Sequence, residues 1–208
     1  MFYVLDRTDG KFLAGTPFVY QNWNTGFDAA GRPRVVPGSN SSAEGSFYVY
    51  PTLGGGTNFQ APSYSPLTGL FYLAYSENGQ RYASQPVTFE QGRQYIGRGQ
   101  AAPASPRPGE PAASSGIKAI DPETGETKWD FKTSQGSLQN GVLGTAGNVL
   151  FASIRDGNLA ALDAKTGDHL WHFQTGTTPA ASPISYAVDG KQYVAIAAGN
   201  TIYSFALP

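Results

Sequence analysis

One short segment of the sequence carries a spacing used in nucleophilic catalysis, Ser115-Gly116-Ile117-Lys118. In some serine hydrolases a Ser-x-x-Lys pair lets the lysine amine activate the serine hydroxyl. Residues three apart meet on a helix but point to opposite faces of a strand, and the residues that follow predict a strand. Ser115 and Lys118 are therefore candidate catalytic residues, with a purely structural role as the alternative.

Metal chemistry has few candidates, because the chain has no cysteine and only two histidines, His169 and His172. The absence of cysteine excludes thiolate metal sites, cysteine nucleophiles and disulfides. The histidines flank Trp171 in a segment that reads as a strand, so their side chains are expected on opposite faces, unable to share one metal ion. The sequence predicts no metal site.

The composition indicates a folded, turn-rich β protein. The 26 glycines and 15 prolines make up about a fifth of the 208 residues, which is too many for long helices. Aromatic residues reach 13%, far above the level of disordered chains. With a net charge of −1, the sequence has no excess of positive charge that would indicate binding to nucleic acid or to an anionic membrane. No apolar run is long enough to span a membrane, and Met1–Arg7 does not resemble an export signal.

A repeat organises these residues. Residues 119–133 return as residues 161–175, an offset of 42, with Ala, Asp, Thr, Gly, Trp, Phe and Thr in register. A weaker copy, Leu5–Lys11, keeps the Asp-to-Gly spacing but has Ala14 where the tryptophan would stand. Asp followed four residues later by Gly, between apolar runs, predicts a tight turn between two strands. Short strands with turns at this period are typical of β-propeller blades.

The repeat predicts an all-β fold, a partial β-propeller of about four four-stranded antiparallel blades. We expect residues 1–208 to form a single domain, with residues 21–45 and 76–114 as long loop excursions. Because Trp129 and Trp171 recur within the turn motif, packing between blades is their expected role.

These repeats resemble the tryptophan-docking motifs of the pyrroloquinoline quinone (PQQ)-dependent alcohol dehydrogenases, the methanol-dehydrogenase type of quinoprotein. The resemblance follows the order of the chain and matches the C-terminal part of the family. The segments that carry it are Phe2–Lys11 with Asn22-Trp23, Asn58–Pro66, Gly141–Gly147, Tyr186–Ala198 and Phe205–Pro208.

The resemblance implies an eight-bladed ring with PQQ and calcium on its axis, and oxidation of an alcohol by the quinone. Asn58 matches a cofactor-contacting asparagine of the family, while Gln139 and Asn140 stand where the family has a tryptophan. These three are the candidate cofactor-binding residues. The family's calcium ligands and catalytic aspartate belong to segments upstream of the matched region, which puts cofactor binding by this chain in doubt. Family members are periplasmic, and the location of this chain is left open.

Three functions stay open at this point. The first is a truncated quinoprotein alcohol dehydrogenase; the second is a cofactor-free propeller used for binding or scaffolding; the third is a repurposed ester or amide hydrolase. A small-molecule ligand is compatible with each of them. Because part of a ring leaves apolar blade faces uncovered, we also expect self-association, most simply a homodimer that closes the propeller.

Overall fold

The computed structural model describes residues 1–101, 104–133, 140–154, 156–179 and 181–207. These ranges contain fifteen β-strands and no helix, so they hold no helix that could cross a membrane. The strands are β1 (Phe2–Leu5), β2 (Phe12–Thr16), β3 (Asn24–Phe27), β4 (Pro33–Val35), β5 (Ser63–Ser65), β6 (Leu70–Glu77), β7 (Ser114–Ile120), β8 (Thr127–Lys132), β9 (Val142–Gly144), β10 (Val149–Ile154), β11 (Asn158–Asp163), β12 (His169–Gln174), β13 (Ile184–Val188), β14 (Lys191–Ala198) and β15 (Thr201–Phe205).

The strands pair with their sequence neighbours into antiparallel sheets. Strands β5–β8 and β9–β12 each form a four-stranded sheet, β13–β15 form a three-stranded sheet, and β1–β2 and β3–β4 form hairpins. The partial propeller predicted from the repeat is thus confirmed, although the sheets at the two ends of the described chain have fewer than four strands. Residues 21–45, expected as a loop excursion, contain the β3–β4 hairpin.

Apolar clusters join consecutive sheets. Phe2 of β1 packs with Phe71 and Ile120 of the next sheet. Ile117 of that sheet lies in one buried cluster with Leu162 of sheet β9–β12. A third cluster joins sheet β9–β12 to sheet β13–β15 and contains Leu159, Val194, Ile196, Tyr203 and Phe205.

The three Asp-to-Gly turns have the same hydrogen bonds. At Asp6, Asp121 and Asp163, the glycine four residues later donates its N–H to the aspartate carbonyl oxygen at 2.7 or 2.8 Å. The backbone N–H two residues later donates to the aspartate Oδ1 at 2.8 or 2.9 Å. The weak first copy therefore folds as the two strong copies do.

An irregularity in strand pairing precedes each of these turns. The register shifts between Val4 and Leu5, between Ala119 and Ile120, and between Ala161 and Leu162. Just before the shift, Ala119 pairs with Trp129 and Ala161 pairs with Trp171, while Val4 pairs with Ala14. Each repeat thus uses a β-bulge to place the tryptophan position, and Ala14 occupies that position in the first copy.

Trp129 docks on the following repeat. Its Nε1 donates to the carbonyl oxygen of Ala164 at 3.1 Å. A Cβ added to Gly167 would come within 2.7 Å of Trp129 Cδ2, so the indole lies directly against the glycine backbone. Trp129 therefore links sheet β5–β8 to the turn of sheet β9–β12, as its place in the repeat predicts.

Replacement of Gly167 by alanine tests this docking. Gly167 has a φ of +78° and Gly10 has a φ of +76°, but a Cβ meets Trp129 only at Gly167 and open space at Gly10. Both substitutions carry the cost of a left-handed backbone, about 1 kcal/mol, and Gly167→Ala adds overpacking of about 1–3 kcal/mol. Urea unfolding should show the larger loss for Gly167→Ala, and equal losses would contradict the docking.

The turn aspartates make stability depend on acid pH. The pKa of Asp121 is lowered first by the backbone N–H of Glu123, that of Asp163 by the N–H of Thr166, and that of Asp6 by the Thr8 side chain. A carboxylate with a lowered folded-state pKa stabilises the fold above its ordinary pKa of 3.8, and this stability is lost as the pH falls through the lower folded value.

We expect the melting temperature to fall as the pH drops below that ordinary value, and to fall less steeply in Asp163→Asn. Asp189→Asn removes an equal charge at another turn and is the control. Identical pH profiles for wild type and Asp163→Asn would contradict the expectation.

Candidate functional site

A cavity of about 230 Å³ lies where three segments distant in sequence meet. Its lining comprises Phe59, Gln60, Asn140, Gly141, Ala181 and Ser182. The backbone N–H of Asn140 donates to the Ser153 carbonyl oxygen at 3.1 Å, and its side-chain amide donates to the carbonyl oxygen of Pro179. We refer to this site as the amide cavity, because side-chain amides contribute much of its polar lining.

Two of the predicted cofactor-binding residues, Asn140 and Asn58, lie in or beside the amide cavity. Asn140 lines it directly. Asn58 is exposed beside it: its backbone N–H donates to Gln60 Oε1 at 3.0 Å, and its side-chain amide donates to the Gly54 carbonyl oxygen at 3.3 Å. Gln139, the third candidate, lies outside the described residues. Cofactor contacts by these residues stay predictions.

The side chains that line the amide cavity are all uncharged. Gln60 and Asn140 supply amides, Ser182 supplies a hydroxyl, and Phe59 presents a ring that is 82% exposed. A Cβ on Gly141 would collide with the Ser182 side chain and come 2.9 Å from the Ala61 carbonyl oxygen, so only glycine fits this close approach.

This donor set fits one polar edge and one flat face of a planar quinone, but none of the residues that line the cavity is charged, so none can balance a cofactor's carboxylates. A calcium site is not supported either. Within the described ranges, no group of three or more His, Cys, Asp or Glu residues could hold a metal ion.

Ser115 and Lys118 lie on β7, and the strand separates them as its alternation dictates. Ser115 is fully buried, with its hydroxyl 2.9 Å from the hydroxyl of Thr133. Lys118 Nζ donates to the Phe18 carbonyl oxygen at 2.6 Å and lies 4.1 Å from the ring centroid of Tyr75. Each side chain has its own structural partner, and the geometry gives the hydroxyl and the amine no common reaction centre.

Lys118 also borders a second cavity, of about 350 Å³, which sequence reasoning missed. The residues that line it are Pro17, Phe18, Val19, Tyr20, Gln21, Glu77, Lys118 and Thr127. Glu77 accepts the Tyr20 backbone N–H at 2.6 Å, and burial lowers the pKa of Lys118. These contacts hold residues 17–21 against β6 and β7. One indication of this contact is present in the sequence: Lys118 lies in a segment whose other residues are small or apolar.

The two histidines differ from the expectation. The ring centroids of His169 and His172 are 5.2 Å apart, so the side chains are neighbours rather than on opposite faces. The cause is the bulge in β12: Leu162 pairs with His169 and Ala161 with Trp171, so one residue is skipped and the alternation of faces shifts by one. His169 also stacks on Phe131, with their ring centroids 6.4 Å apart.

The repeated turn, the shared bulge and the docked tryptophan define a partial β-propeller. A family model described as "Outer membrane protein assembly factor BamB" matches residues 113–207. Quinoprotein alcohol dehydrogenase PedH of Pseudomonas putida is 38% identical over 205 residues, which are 95% of this chain and 34% of that protein. A 1-butanol dehydrogenase (cytochrome c) of Thauera butanivorans is 36% identical over 99% of this chain and 33% of its own length.

Solved structures of alcohol dehydrogenases also match the chain. The quinohemoprotein alcohol dehydrogenase of Comamonas testosteroni matches with a TM-score of 0.82 and 31% identity, over 95% of this chain and 30% of that one. A europium-containing methanol dehydrogenase matches with a TM-score of 0.82 and 28% identity, over 93% of this chain and 34% of that one. The chain is thus a homologue of the PQQ-dependent alcohol dehydrogenases, as the sequence motifs predict, and it spans about one third of the length of these relatives.

The pKa values of Lys118 and Lys128 are shifted in opposite directions, and comparing them tests the geometry around Lys118. Burial lowers the pKa of Lys118, whereas the hydrogen bond to Glu126, at 2.6 Å, raises the pKa of Lys128. In an NMR titration of labelled lysine side chains, Lys118 should deprotonate at a lower pH than Lys128. The reverse order would show that residues 17–21 do not cover Lys118 in solution.

Proposed function

We propose that this chain forms about one third of the propeller of a PQQ-dependent alcohol dehydrogenase and supplies one wall of its cofactor cavity. The observation that carries the proposal is the match to dehydrogenases of this type over 95% of the chain, at 38% identity in PedH. The amide cavity adds support, because it lies beside both Asn58 and Asn140, which are 82 positions apart in sequence.

The residues of the amide cavity would act by binding and orientation. Asn140 is fixed by bonds to Ser153 and Pro179, and it stands with Gln60 and Ser182 to bond the polar edge of a quinone. The Phe59 ring offers a flat apolar surface that excludes water from one face. When bound, PQQ supplies a two-electron acceptor for the oxidation of an alcohol to an aldehyde.

For this reaction we assign no metal and no proton-transfer residue to this chain. The described residues offer no metal-binding cluster of three or more ligands, and the amide cavity contains no titratable side chain that could act as a general base. In the described ranges no such cluster is present for the calcium ion that the resemblance implies, and no residue that lines the amide cavity could serve as the base. The scaffold and hydrolase alternatives receive no support from the comparisons, and the separation of Ser115 from Lys118 gives hydrolysis no geometric basis.

A thermal-shift titration with PQQ tests the proposal. A ligand that binds only the folded state raises the free energy of unfolding by RT ln(1 + [L]/Kd), and the melting temperature rises as a result. We expect PQQ to stabilise the chain, with or without added calcium. Phe59→Leu should weaken this binding by about tenfold, because its ring lines the cavity.

Phe89→Leu is the matched control, since Phe89 is also strongly exposed, at 69%, but does not line the amide cavity. Absence of any shift at millimolar PQQ would refute cofactor binding by this chain. Equal weakening in both phenylalanine variants would refute the assignment to the amide cavity.

A further inference from the structure

The two histidines of the chain lie side by side on β12, an edge strand of sheet β9–β12. His169 pairs with Leu162 and His172 pairs with Ala160. Leu162 and Ala160 belong to one buried cluster, which faces sheet β5–β8. Because cross-strand partners share a face, both histidines project toward the side of sheet β5–β8, and both are exposed to solvent. Their ring centroids are 5.2 Å apart.

The bulge of β12 and the neighbouring sheet position this pair. In a regular strand, residues three apart point to opposite faces. The register shift between Ala161 and Leu162 moves the alternation by one residue, so His169 joins the face of His172. Phe131 of β8 stacks on His169, with 6.4 Å between the ring centroids and 13° between the ring planes. The fold thus brings the two imidazoles together and supports one of them from the adjacent sheet.

The separation of the rings suits a shared metal ion. Zinc binds an imidazole nitrogen at about 2.0–2.1 Å and takes its ligands in a tetrahedral arrangement. Each ring centroid then lies about 3.2 Å from the ion, and two rings at the tetrahedral angle have centroids about 5.2 Å apart. The rings of His169 and His172 have this separation. Rotation about χ2, for which histidine has a broad preference, can turn one nitrogen of each ring toward the ion.

The histidine pair is separate from the amide cavity. Strands β12 and β9 are opposite edges of one sheet, and Asn140 and Gly141 of the cavity lie directly before β9. Neighbouring strands are about 4.8 Å apart, so about 14 Å separates β12 from β9. Both sheets that border the pair, β5–β8 and β9–β12, have four strands within the described residues. The surroundings of the pair are therefore supplied by this chain.

We propose that His169 and His172 together bind one divalent transition-metal ion, with water completing its coordination. Imidazole is a ligand for Zn²⁺, Cu²⁺ and Ni²⁺, and Zn²⁺ matches the separation of the rings. The ion links positions on the two sides of the bulge and so stabilises the register of β12 on β11. It takes no part in the alcohol oxidation proposed above, and the site does not depend on that proposal.

An NMR titration of residues 1–208, prepared without a histidine tag, tests the proposal. Because the chain contains only two histidines, the imidazole signals come from these two rings alone. Zn²⁺ should shift both sets of signals together, with saturation at one ion per chain, and EDTA should reverse the change. Ca²⁺ carries the same charge but prefers oxygen ligands, so it should shift neither set. A shift of one ring only, or saturation at two ions per chain, would overturn the proposal.

Variants separate metal binding from packing. His169→Phe keeps a ring that can stack on Phe131 but removes a ligand, and His172→Gln removes the other ligand. Each should weaken Zn²⁺ binding in calorimetry by at least about tenfold, which is the cost of losing even an outer-shell partner of a metal site. Lys165→Gln, in the exposed turn before β12, keeps both ligands and should bind Zn²⁺ as the wild type does.

Unchanged Zn²⁺ affinity in the two histidine variants would refute the site, as would the absence of binding to the wild type at millimolar Zn²⁺. Near-UV circular dichroism of each variant without metal establishes that its sheets are folded. The thermal shift with PQQ should be the same in these variants as in the wild type, since the pair lies away from the amide cavity. The metal site and the proposed function can therefore fail independently of each other.

Discussion

The indole of Trp129 joins two sheets with one hydrogen bond and one close contact. Its N–H satisfies the carbonyl of Ala164, and its ring lies on the bare backbone of Gly167. Both partners belong to the turn that begins at Asp163, so the docking surface for the tryptophan exists only where this turn is formed. Together with the buried cluster that contains Ile117 and Leu162, this contact holds sheet β9–β12 against sheet β5–β8.

This dependence explains which parts of the fold could be predicted from sequence. The Asp-to-Gly turn is local chemistry: a carboxylate accepts nearby backbone N–H groups, and glycine adopts positive φ without strain. Trp129, at a fixed distance from its turn, docks on the following repeat. Trp171, at the same position of its own repeat, is 40% exposed and packs against Phe205, with the ring centroids 5.4 Å apart. Even the degenerate copy at Asp6 was readable, because Ala14 replaces the indole without changing the turn or the bulge.

Features that depend on distant pairing could not be read in this way. The bulge that turns His169 toward His172 is visible only in the register against β11, since the sequence of β12 alone predicts plain alternation. The contact from Lys118 to the Phe18 carbonyl spans 100 positions, and nothing local marks it. The resemblance identifies Asn58 and Asn140 as candidate cofactor-binding residues, but only the stacking of sheets places them beside one cavity.

Each apolar cluster of the molecule joins two consecutive sheets, so cooperativity runs along the stack as it does in a repeat protein. A sheet with neighbours on both sides can open only by breaking two clusters, whereas an end sheet breaks one. Backbone amides in β6, β7, β10 and β11 should therefore exchange with solvent most slowly, and those of β1 and β15 most rapidly. Among the described residues, the order of the sheets along the chain is in this sense also an order of local stability, lowest in sheets β1–β2 and β13–β15, which each share a single cluster with a neighbour.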